Sequence, residues 1–558
     1  MARIDSRVIF VTTSPRTPAK MIPEIALLKT HFEGKEWNHD NQVAFMELLR
    51  EENFFNGQGA KDPAFSARDR ITRAPKALGF VNLSPTISLT PAGERLISAR
   101  RTEEVFLRQL LKFQLPSPFH IPGKHAAEFW IKPYLELFRL VRHFGSLKFD
   151  ELMIFGLQMT DYHQFDDIVR KIEQFRIDKA KNKESYRTFK GKYIEKELKD
   201  IYRFEISSGD IKTRERAAKT LDNFLDTKAS NLRDYADACI RYLRATGMVN
   251  ISHVGKTLSI AKEKEEEVDY FLRTVDRDPC FVKDEGLYTE YLGSSSLPVL
   301  WSDNKDLLLA RFRKEFPNVA VDEKTPLHTL KDALDNSLYI RQQDILYKEV
   351  VAIKDGEKYD DIQNTFQQIE DNTIYDTPLM LEWNVWRAMT MIDGGDISAN
   401  LKFDDFGNPM STAQGNMADI ICDYGGFDLT VEVTMQTGQR QYESEGEPVA
   451  RHLGKLKKET GKETFCLFIA PSINSACITH FFVLQQMSLD FYGGKSTIIP
   501  MELSVFRKMV EDSYKASYTP DPSHVEAFFR YAQDVAKTSA SETDWYQKVR
   551  EKALHWLA

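Results

Sequence analysis

The chain has 558 residues, 42% of them hydrophobic and 28% charged, so its composition is that of a soluble globular protein with more than one core. Its five cysteines form no CxxC pair and no His-Cys ligand spacing, which argues against a disulfide framework or a structural zinc site and indicates reduced thiols in the cytoplasm. The net charge of −8 is unevenly distributed, because residues 1–250 carry a net +9 and residues 251–558 a net −17.

The N-terminal apolar run VIFVTT is too short for a signal peptide, and no apolar run approaches membrane-spanning length. We therefore expect a soluble, cytoplasmic protein without a membrane partner. The basic front half is compatible with a polyanion partner. The acidic rear half is compatible with a metal-dependent site or simply with a soluble surface, and charge alone does not decide between them.

The first patterned segment covers residues 65–96. Its basic stretch ARDRITRAPKALGF predicts a helix that Pro75 interrupts or kinks. The runs GFVNL and ISLT predict a short strand pair, and TPAGERLI predicts a further helix with Thr90 as its cap and Pro91 at its first position. A helix followed by a β-wing is typical of a winged-helix fold.

Basic residues are concentrated in that first helix, which favours contact with DNA over an ordinary helix-hairpin unit packed in a core. Because arginine pairs bidentately with guanine in the major groove, these side chains are candidates for sequence readout. They are Arg68, Arg70, Arg73 and Lys76.

A similar pattern recurs at residues 235–261, where a helix ends at RATG and the strands MVNIS and TLSIA flank a turn at residues 253–256. Between the two patterns, residues 133–205 are helical and amphipathic, with a lysine-dense stretch that is either a solvated face or a set of phosphate contacts. Residues 283–370 read as a helical connector, and the apolar helix at residues 378–392 begins a final compact unit.

Residues 418–434, ADIICDYGGFDLTVEVT, predict a β-hairpin that turns at Gly425-Gly426. The alternation places five apolar residues on one face, as a core side requires. They are Ile420, Cys422, Leu429, Val431 and Val433. The other face carries Asp419, Asp423, Asp428, Thr430, Glu432 and Thr434.

This turn places Asp419 opposite Glu432, and Asp423 opposite Asp428. Like charges directly opposed across two strands are destabilising. Asp419 and Glu432 therefore either repel one another or bind a divalent cation through oxygen ligands, as Mg²⁺ prefers. We interpret Asp423 and Asp428 as turn residues that form local hydrogen bonds.

The hairpin is followed by a polar loop, MQTGQRQY, a helix that begins near Pro448 and a buried strand, TFCLFIAPSI. A helix, a hairpin, a helix and a strand in this order resemble the α/β core of PD-(D/E)xK nucleases. The match to that motif is partial, because Ala418 stands where Pro is usual and Thr434 where Lys is expected.

Candidates for the missing cation or base lie on the following helix, at Arg451 and His452, with Glu445 and Glu447 before it. A lone histidine on a helix is more often structural than catalytic. On the preceding apolar helix, Glu382 is either turned to solvent or paired, and a metal site is one option for it.

Several stretches together resemble the AlwI-type family of type IIS restriction endonucleases, which includes site-specific nicking endonucleases. They occur in family order across nearly the whole chain. They are SPRTPAK (14–20), FEGKEW (32–37), AFSARDR (64–70), KALGF (76–80), VFLRQLLKFQLPS (105–117), SLPVL (296–300), LEWNVW (381–386), EPVARH (447–452) and CLFIAP (466–471).

The resemblance implies a multi-domain protein with an α-rich winged-helix DNA-recognition region, a helical linker and a C-terminal α/β PD-(D/E)xK nuclease domain. We place two recognition subdomains at 1–120 and 121–282, the linker at 283–370 and the cleavage domain at 371–558. The implied substrate is duplex DNA with a short asymmetric site of the GAGTC or GGATC kind, cut a few bases to one side. A cognate DNA methyltransferase is the implied partner in the same system.

Carried over by position, the family's catalytic carboxylates fall on Glu382, Asp419, Glu432 and Glu445, and its active-site histidine falls on His452. The carboxylates would hold Mg²⁺, and His452 would position the attacking water or accept its proton in place of the missing lysine. Relatives tend to have Ser where this chain has Gly446, which makes Glu445 a weaker assignment than Asp419. Additional DNA contacts are expected from Ser14, Arg16 and Lys20.

Three alternatives stay open at this stage. A single active site cuts one strand, so the protein is either a double-strand cutter that uses a transient homodimer or second subunit, or a nicking enzyme or large subunit of a heterodimeric nuclease. A winged-helix regulator with an inactive nuclease domain is the alternative from another class. A carboxylate-pair hydrolase such as a glycosidase would explain the two acids but not the basic front half.

Overall fold

The structure, a computed structural model, describes residues 2–4, 6–9, 14–52, 62–123, 126–211, 213, 219–252, 256–392, 395–412 and 417–557. These residues form two compact units that divide between Asn336 and Ser337. The predicted linker 283–370 is split by this division, and the finer boundaries within the first unit stay predictions. In the described part of the chain, no helix is both long and apolar enough to cross a membrane.

The first unit is mostly helical. Its helices are α1 (Met21–Phe32), α2 (His39–Glu51), α3 (Pro63–Ile71), α4 (Ala74–Ala77), α5 (Pro91–Ser98), α6 (Glu103–Lys112), α7 (Pro133–Phe144), α8 (Phe149–Ile154), α9 (Phe165–Lys181), α10 (Tyr186–Ile201), α11 (Arg203–Ser208), α12 (Leu221–Arg244), α13 (Glu265–Thr274), α14 (Glu285–Gly293) and α15 (Lys305–Glu315). Its strands are β1 (Ala2–Ile4), β2 (Val81–Asn82), β3 (Ser88–Leu89), β4 (His120–Pro122), β5 (Ser146–Lys148), β6 (Val249–Ser252) and β7 (Thr257–Ile260).

Residues 65–96 fold in the predicted order of helix, strand pair and helix. α3 ends at Ile71 and α4 contains Pro75, so the predicted interruption of the basic helix is confirmed. β2 and β3 pair antiparallel over two residues each. The Thr90 hydroxyl accepts a hydrogen bond from the Gly93 N–H at 3.1 Å, which confirms Thr90 as the cap of α5.

The second predicted helix-hairpin pattern is also present. β6 follows α12 and pairs antiparallel with β7, and β5 adds a third strand in the order β5-β7-β6. The predicted turn at residues 253–256 lies outside the described residues except for Lys256. Whether either of the two helix-hairpin patterns, at residues 65–96 and 235–261, forms a winged helix stays a prediction.

The second unit combines helices with a mixed sheet, and the division between the units falls inside a long helix, α16 (Leu327–Lys354). The helices that follow are α17 (Tyr359–Glu370), α18 (Thr377–Ile392), α19 (Gln439–Thr460), α20 (Ser475–Gln486), α21 (Leu503–Lys515), α22 (Pro522–Thr538) and α23 (Glu542–Ala553). The strands are β8 (Asp396–Ala399), β9 (Leu401–Phe403), β10 (Pro409–Thr412), β11 (Ile420–Asp423), β12 (Phe427–Val433), β13 (Glu463–Ala470) and β14 (Thr497–Glu502).

Five of these strands form one sheet in the order β14-β13-β12-β11-β8. The hairpin β11-β12 and the edge pair β11-β8 are antiparallel, whereas β12-β13 and β13-β14 are parallel. The carboxyl ends of β12 and β13 therefore meet at the same edge of the sheet. α19, which connects these two strands, packs against both.

The helix after the hairpin begins earlier than the sequence predicted. α19 starts at Gln439, nine residues before the expected start at Pro448, and the proline lies inside it. Proline lacks a backbone N–H and is therefore unfavourable inside a helix. The helix can still continue through it when tertiary packing stabilises the turns on both sides. This correction places Glu445 and His452 on one continuous helix, two turns apart.

The central sheet is covered on both faces. The predicted core face of the hairpin, which includes Ile420 and Val431, packs with α17, α18, α21, α22 and α23. On the other face, Val449 and Leu453 of α19 pack with Phe468 of β13 and with residues of α20. Every residue of β12 is consequently buried, including those on its polar face.

Candidate active site

The register of the hairpin is the predicted one. Ile420 pairs with Val431 and Asp423 pairs with Asp428. Asp419 immediately precedes β11, and its Oδ2 accepts a hydrogen bond from the backbone N–H of Val433 at 2.8 Å. The Asp419 carboxylate therefore reaches across to the strand that carries Glu432.

At the turn end of the hairpin, the opposed carboxylates are neutralised by a lysine. Asp423 Oδ1 accepts a hydrogen bond from the Gly425 N–H at 2.7 Å, which confirms Asp423 as a turn residue. Lys462 Nζ donates to Asp423 Oδ1 at 2.7 Å and to Asp428 Oδ1 at 3.2 Å. The hydrogen bond from Lys462 lowers the pKa of Asp423.

At the other end, the carboxylates lack such a partner. Glu432 is 5% exposed, and in the described part of the chain neither Asp419 nor Glu432 forms an ion pair with a lysine or arginine. Burial raises the pKa of Asp419 well above its usual range, and the charge of Glu432 raises it further. Burial and then the charge of Glu445 likewise raise the pKa of Glu432.

α19 adds a histidine and a third carboxylate to this pair. His452 Nδ1 lies 2.8 Å from Glu432 Oε1, and Glu445 Oε1 accepts a hydrogen bond from the Thr434 hydroxyl at 3.1 Å. Burial raises the pKa of Glu445 as well. The sheet and one helix thus bring together four of the five predicted catalytic side chains, Asp419, Glu432, Glu445 and His452.

His452 is poised as a neutral imidazole. Burial, and then the neighbouring charge of Arg451, lower its pKa to about 4. With Glu432 ionised, Nδ1–H donates to the carboxylate, so Nε2 keeps a lone pair. Nε2 is buried and has no hydrogen-bond partner among the residues that the structure describes. It is available as a base or a ligand.

Glu382, the fifth candidate, is half-buried on α18. Leu381 and Val385 of the same helix belong to the core on the opposite face of the sheet from Glu432. The participation of Glu382 in the site stays a proposal.

Sequence reasoning missed Gln441, which organises the edge of the sheet where these side chains meet. This fully buried residue donates from Nε2 to the carbonyls of Gln436 at 2.8 Å and Ser472 at 2.9 Å. Its Oε1 accepts from the Asn474 N–H at 2.7 Å. A single glutamine in a polar stretch carries no periodic signal, so only its tertiary contacts reveal the role.

The predicted DNA-contact residues of the basic segment differ in their surroundings. Arg68 and Arg73 are exposed; Arg68 contacts Gln42 at 3.3 Å, and Arg73 pairs with Asp69 at 2.6 Å. Arg70 instead pairs with Glu24, a buried carboxyl whose pKa burial raises.

The structure also describes the surroundings of the other four predicted DNA-contact residues. Lys76 Nζ lies over the Phe119 ring at 4.9 Å from its centroid. Arg16 pairs with Asp234 at 2.8 Å, Lys20 is exposed, and Ser14 is half-buried. Arg16, Lys20, Arg68 and Arg73 are the exposed members of this set, whereas Arg70 is partly buried against Glu24.

The donors at the carboxylate end suit a hard divalent cation. Among the described residues, no group of three or more His, Cys, Asp or Glu side chains is arranged to hold a metal ion by itself. Mg²⁺, however, keeps several waters and is usually bound by only one or two carboxylates together with substrate phosphate. Two opposed, buried carboxylates without a lysine or arginine partner in the described chain, Asp419 and Glu432, fit that requirement.

Comparison with known proteins identifies the family of the chain. A solved structure, the small subunit (R.BspD6I2) of the heterodimeric restriction endonuclease R.BspD6I, is 23% identical and covers 36% of this chain and 95% of its own, with a TM-score of 0.28. That likeness is too low to carry an argument. No curated protein matches the chain. The sequence profile of the AlwI restriction endonuclease matches residues 76–509, well over half of the chain, and the chain therefore belongs to the AlwI restriction endonuclease family.

Proposed function

We propose that this protein is a type IIS restriction endonuclease that binds a short asymmetric DNA site and hydrolyses phosphodiester bonds a few bases away with Mg²⁺. The observation that carries the proposal is the contact between His452 and Glu432 beside Asp419 and Glu445. A member of a restriction endonuclease family needs such a site, and this group is buried where two parallel strands end.

Asp419 and Glu432 would hold the metal, with Glu445 or Glu382 completing the ligand set. When bound, Mg²⁺ would activate water and stabilise the charge that develops on the phosphoryl group. The Val433 N–H fixes one oxygen of Asp419. The carboxylates are thus oriented by the hairpin itself, and their repulsion makes the pair receptive to a cation.

His452 would orient the attacking water or take its proton at Nε2. A general base works best as the neutral form, and its lowered pKa keeps the imidazole neutral at physiological pH. The 2.8 Å contact from Nδ1 to Glu432 fixes the ring orientation. His452 therefore takes the place of the lysine that Thr434 replaces.

Sequence recognition would belong to the first unit. Residues 1–250 carry a net charge of +9, and Arg68, Arg73 and Lys20 are exposed there. The pair of helix-hairpin patterns would form winged-helix recognition elements. The cognate DNA methyltransferase would protect host sites of the same sequence.

The test is digestion of a plasmid of known sequence with and without Mg²⁺, followed by mapping of the cut ends. Cuts at a fixed offset from one short asymmetric sequence, abolished by EDTA, are expected. Linear product would show that both strands are cut, through a transient homodimer or a second subunit. Open-circular product that persists at high enzyme concentration would identify a nicking endonuclease or the large subunit of a heterodimer.

Asp419→Ala separates binding from cleavage. We expect this variant to lose Mg²⁺-dependent cleavage and to keep specific DNA binding, because Asp419 lies in the second unit and the recognition candidates lie in the first. Gel-shift and digestion assays on the same preparation measure both. Specific binding by the wild type without any cleavage would instead favour the DNA-binding regulator.

A further inference from the structure

Thr434 stands where PD-(D/E)xK nucleases carry a lysine, and its hydroxyl contacts a carboxylate of the candidate site. Its Oγ1 lies 3.1 Å from Glu445 Oε1 and 3.1 Å from the backbone N of Gln436. Since the Gln436 N–H can only donate, the hydroxyl oxygen accepts that bond and its hydrogen is directed to Glu445. Thr434 is 8% exposed, so water competes little for this arrangement.

We propose that Thr434 is a positioning residue that holds the Glu445 carboxylate against the Asp419 and Glu432 site. This role rests on the function proposed above and assigns a task to the residue at which the chain departs from the nuclease motif. The threonine does not replace the charge of the lysine. It orients a third carboxylate that α19 brings to the site, while His452 takes the proton.

The hydroxyl is held in place by the backbone on both sides. The Thr434 N–H donates to the Ile469 carbonyl at 3.0 Å, which continues the ladder between β12 and β13. Beyond it, Gln441 holds the Gln436 carbonyl at 2.8 Å. A β-branched side chain on a fixed backbone has few rotamers, so the donor is oriented before substrate binds.

Ser444 is the other hydroxyl near Glu445, but its contact is weaker. Its Oγ lies 3.3 Å from Glu445 Oε1 and 2.8 Å from the Arg440 carbonyl, and one hydroxyl hydrogen cannot serve both. The shorter contact goes to Arg440. Thr434 is therefore the main donor to Glu445.

Thr434→Val tests the role, with Thr430→Val as a matched control. Thr430 lies on β12, four residues before Thr434, is fully buried, and donates to the Phe465 carbonyl at 3.3 Å. Both substitutions replace a buried hydroxyl by a methyl group. We expect kcat to fall about 10- to 100-fold in Thr434→Val and to change less than about 3-fold in Thr430→Val. Thr434→Ser should restore most of the rate.

A double-mutant cycle with Glu445→Gln shows whether Thr434 acts through Glu445. We expect the double variant to be no slower than Glu445→Gln alone, since the group that Thr434 orients is already lost. A second readout needs no cleavage: the rise in Tm that Mg²⁺ causes should be smaller in Thr434→Val than in Thr430→Val.

The outcomes separate the two proposals. If Glu445→Gln cleaves as fast as the wild type, Glu445 has no place in the site and the task assigned to Thr434 falls with it. If Glu445→Gln is impaired but Thr434→Val is not, or if the two losses multiply in the double variant, the positioning role is overturned and the nuclease function stands.

Discussion

The two ends of one β-hairpin carry the same unfavourable feature and resolve it differently. At the turn, Asp423 and Asp428 share Lys462, which contacts both carboxylates. At the open end, Asp419 and Glu432 have no lysine or arginine partner in the described chain, although His452 contacts Glu432, and burial and mutual repulsion raise the pKa of Asp419. The turn is arranged for stability, whereas the open end keeps two carboxylates without a described lysine or arginine partner, whose charge the cation of the proposed function would neutralise.

The largest expected difference between the two ends is in catalysis. Glu432→Gln should lower kcat by more than about 100-fold, because a metal ligand matters at least as much as the groups that orient it. Asp428→Asn, an equally conservative change at a buried carboxylate of the same strand, should alter kcat less than about 3-fold. Initial rates of plasmid cleavage in Mg²⁺ measure both. An equal fall in kcat for the two variants would mean that the strand tolerates neither substitution. The two ends of the hairpin would then not differ in function.

The second difference is in stability without metal. Asp419→Asn should raise the free energy of unfolding at pH 7, since it removes a buried carboxylate whose pKa burial and the charge of Glu432 raise. The asparagine Oδ1 still accepts from the Val433 N–H. Thermal unfolding in EDTA is the measurement, and the gain should shrink when Mg²⁺ is added. A destabilised Asp419→Asn variant would show that the carboxylate is favourably held without a cation.

The pH dependence of that gain has a definite sign. The pKa of Asp419 is raised in the folded state, so the folded protein binds the proton more tightly than the unfolded chain, whose aspartate pKa is about 3.9. The difference in Tm between Asp419→Asn and the wild type should therefore be near zero at about pH 4 and should grow as the pH rises toward the folded pKa. A Tm difference that does not change with pH would show that the stabilisation does not come from the ionisation of Asp419.

The smallest effect is expected at the turn. Asp423→Asn keeps an acceptor for the Gly425 N–H but loses the charge that Lys462 contacts. Because that pair is exposed, the loss of stability should be at most about 1 kcal/mol. The sign is opposite to that of Asp419→Asn. Thermal unfolding of both variants in EDTA tests this difference in sign. A higher Tm for both Asp423→Asn and Asp419→Asn would contradict it.

Much of the hairpin was predictable because its signals are local. The Gly425-Gly426 turn set the register, and the alternation identified Ile420 and Val431 as core residues, which the structure confirms. The cap at Thr90 and the break at Pro75 were predicted for the same reason. The start of α19 was predicted wrongly, since a proline normally marks a helix boundary and tertiary packing overrides that rule here.

By itself, the sequence determined the family, the opposed carboxylates and the side of the hairpin that enters the core. Only the tertiary structure decided which charges find partners. Lys462 is 39 residues from Asp423, and Arg70 is 46 from Glu24, so no local pattern predicts either pair. The same holds for Thr434 and Glu445, which meet because α19 begins early and lies across the polar face of β12. A carboxylate's task depends on which distant side chains the fold brings to it.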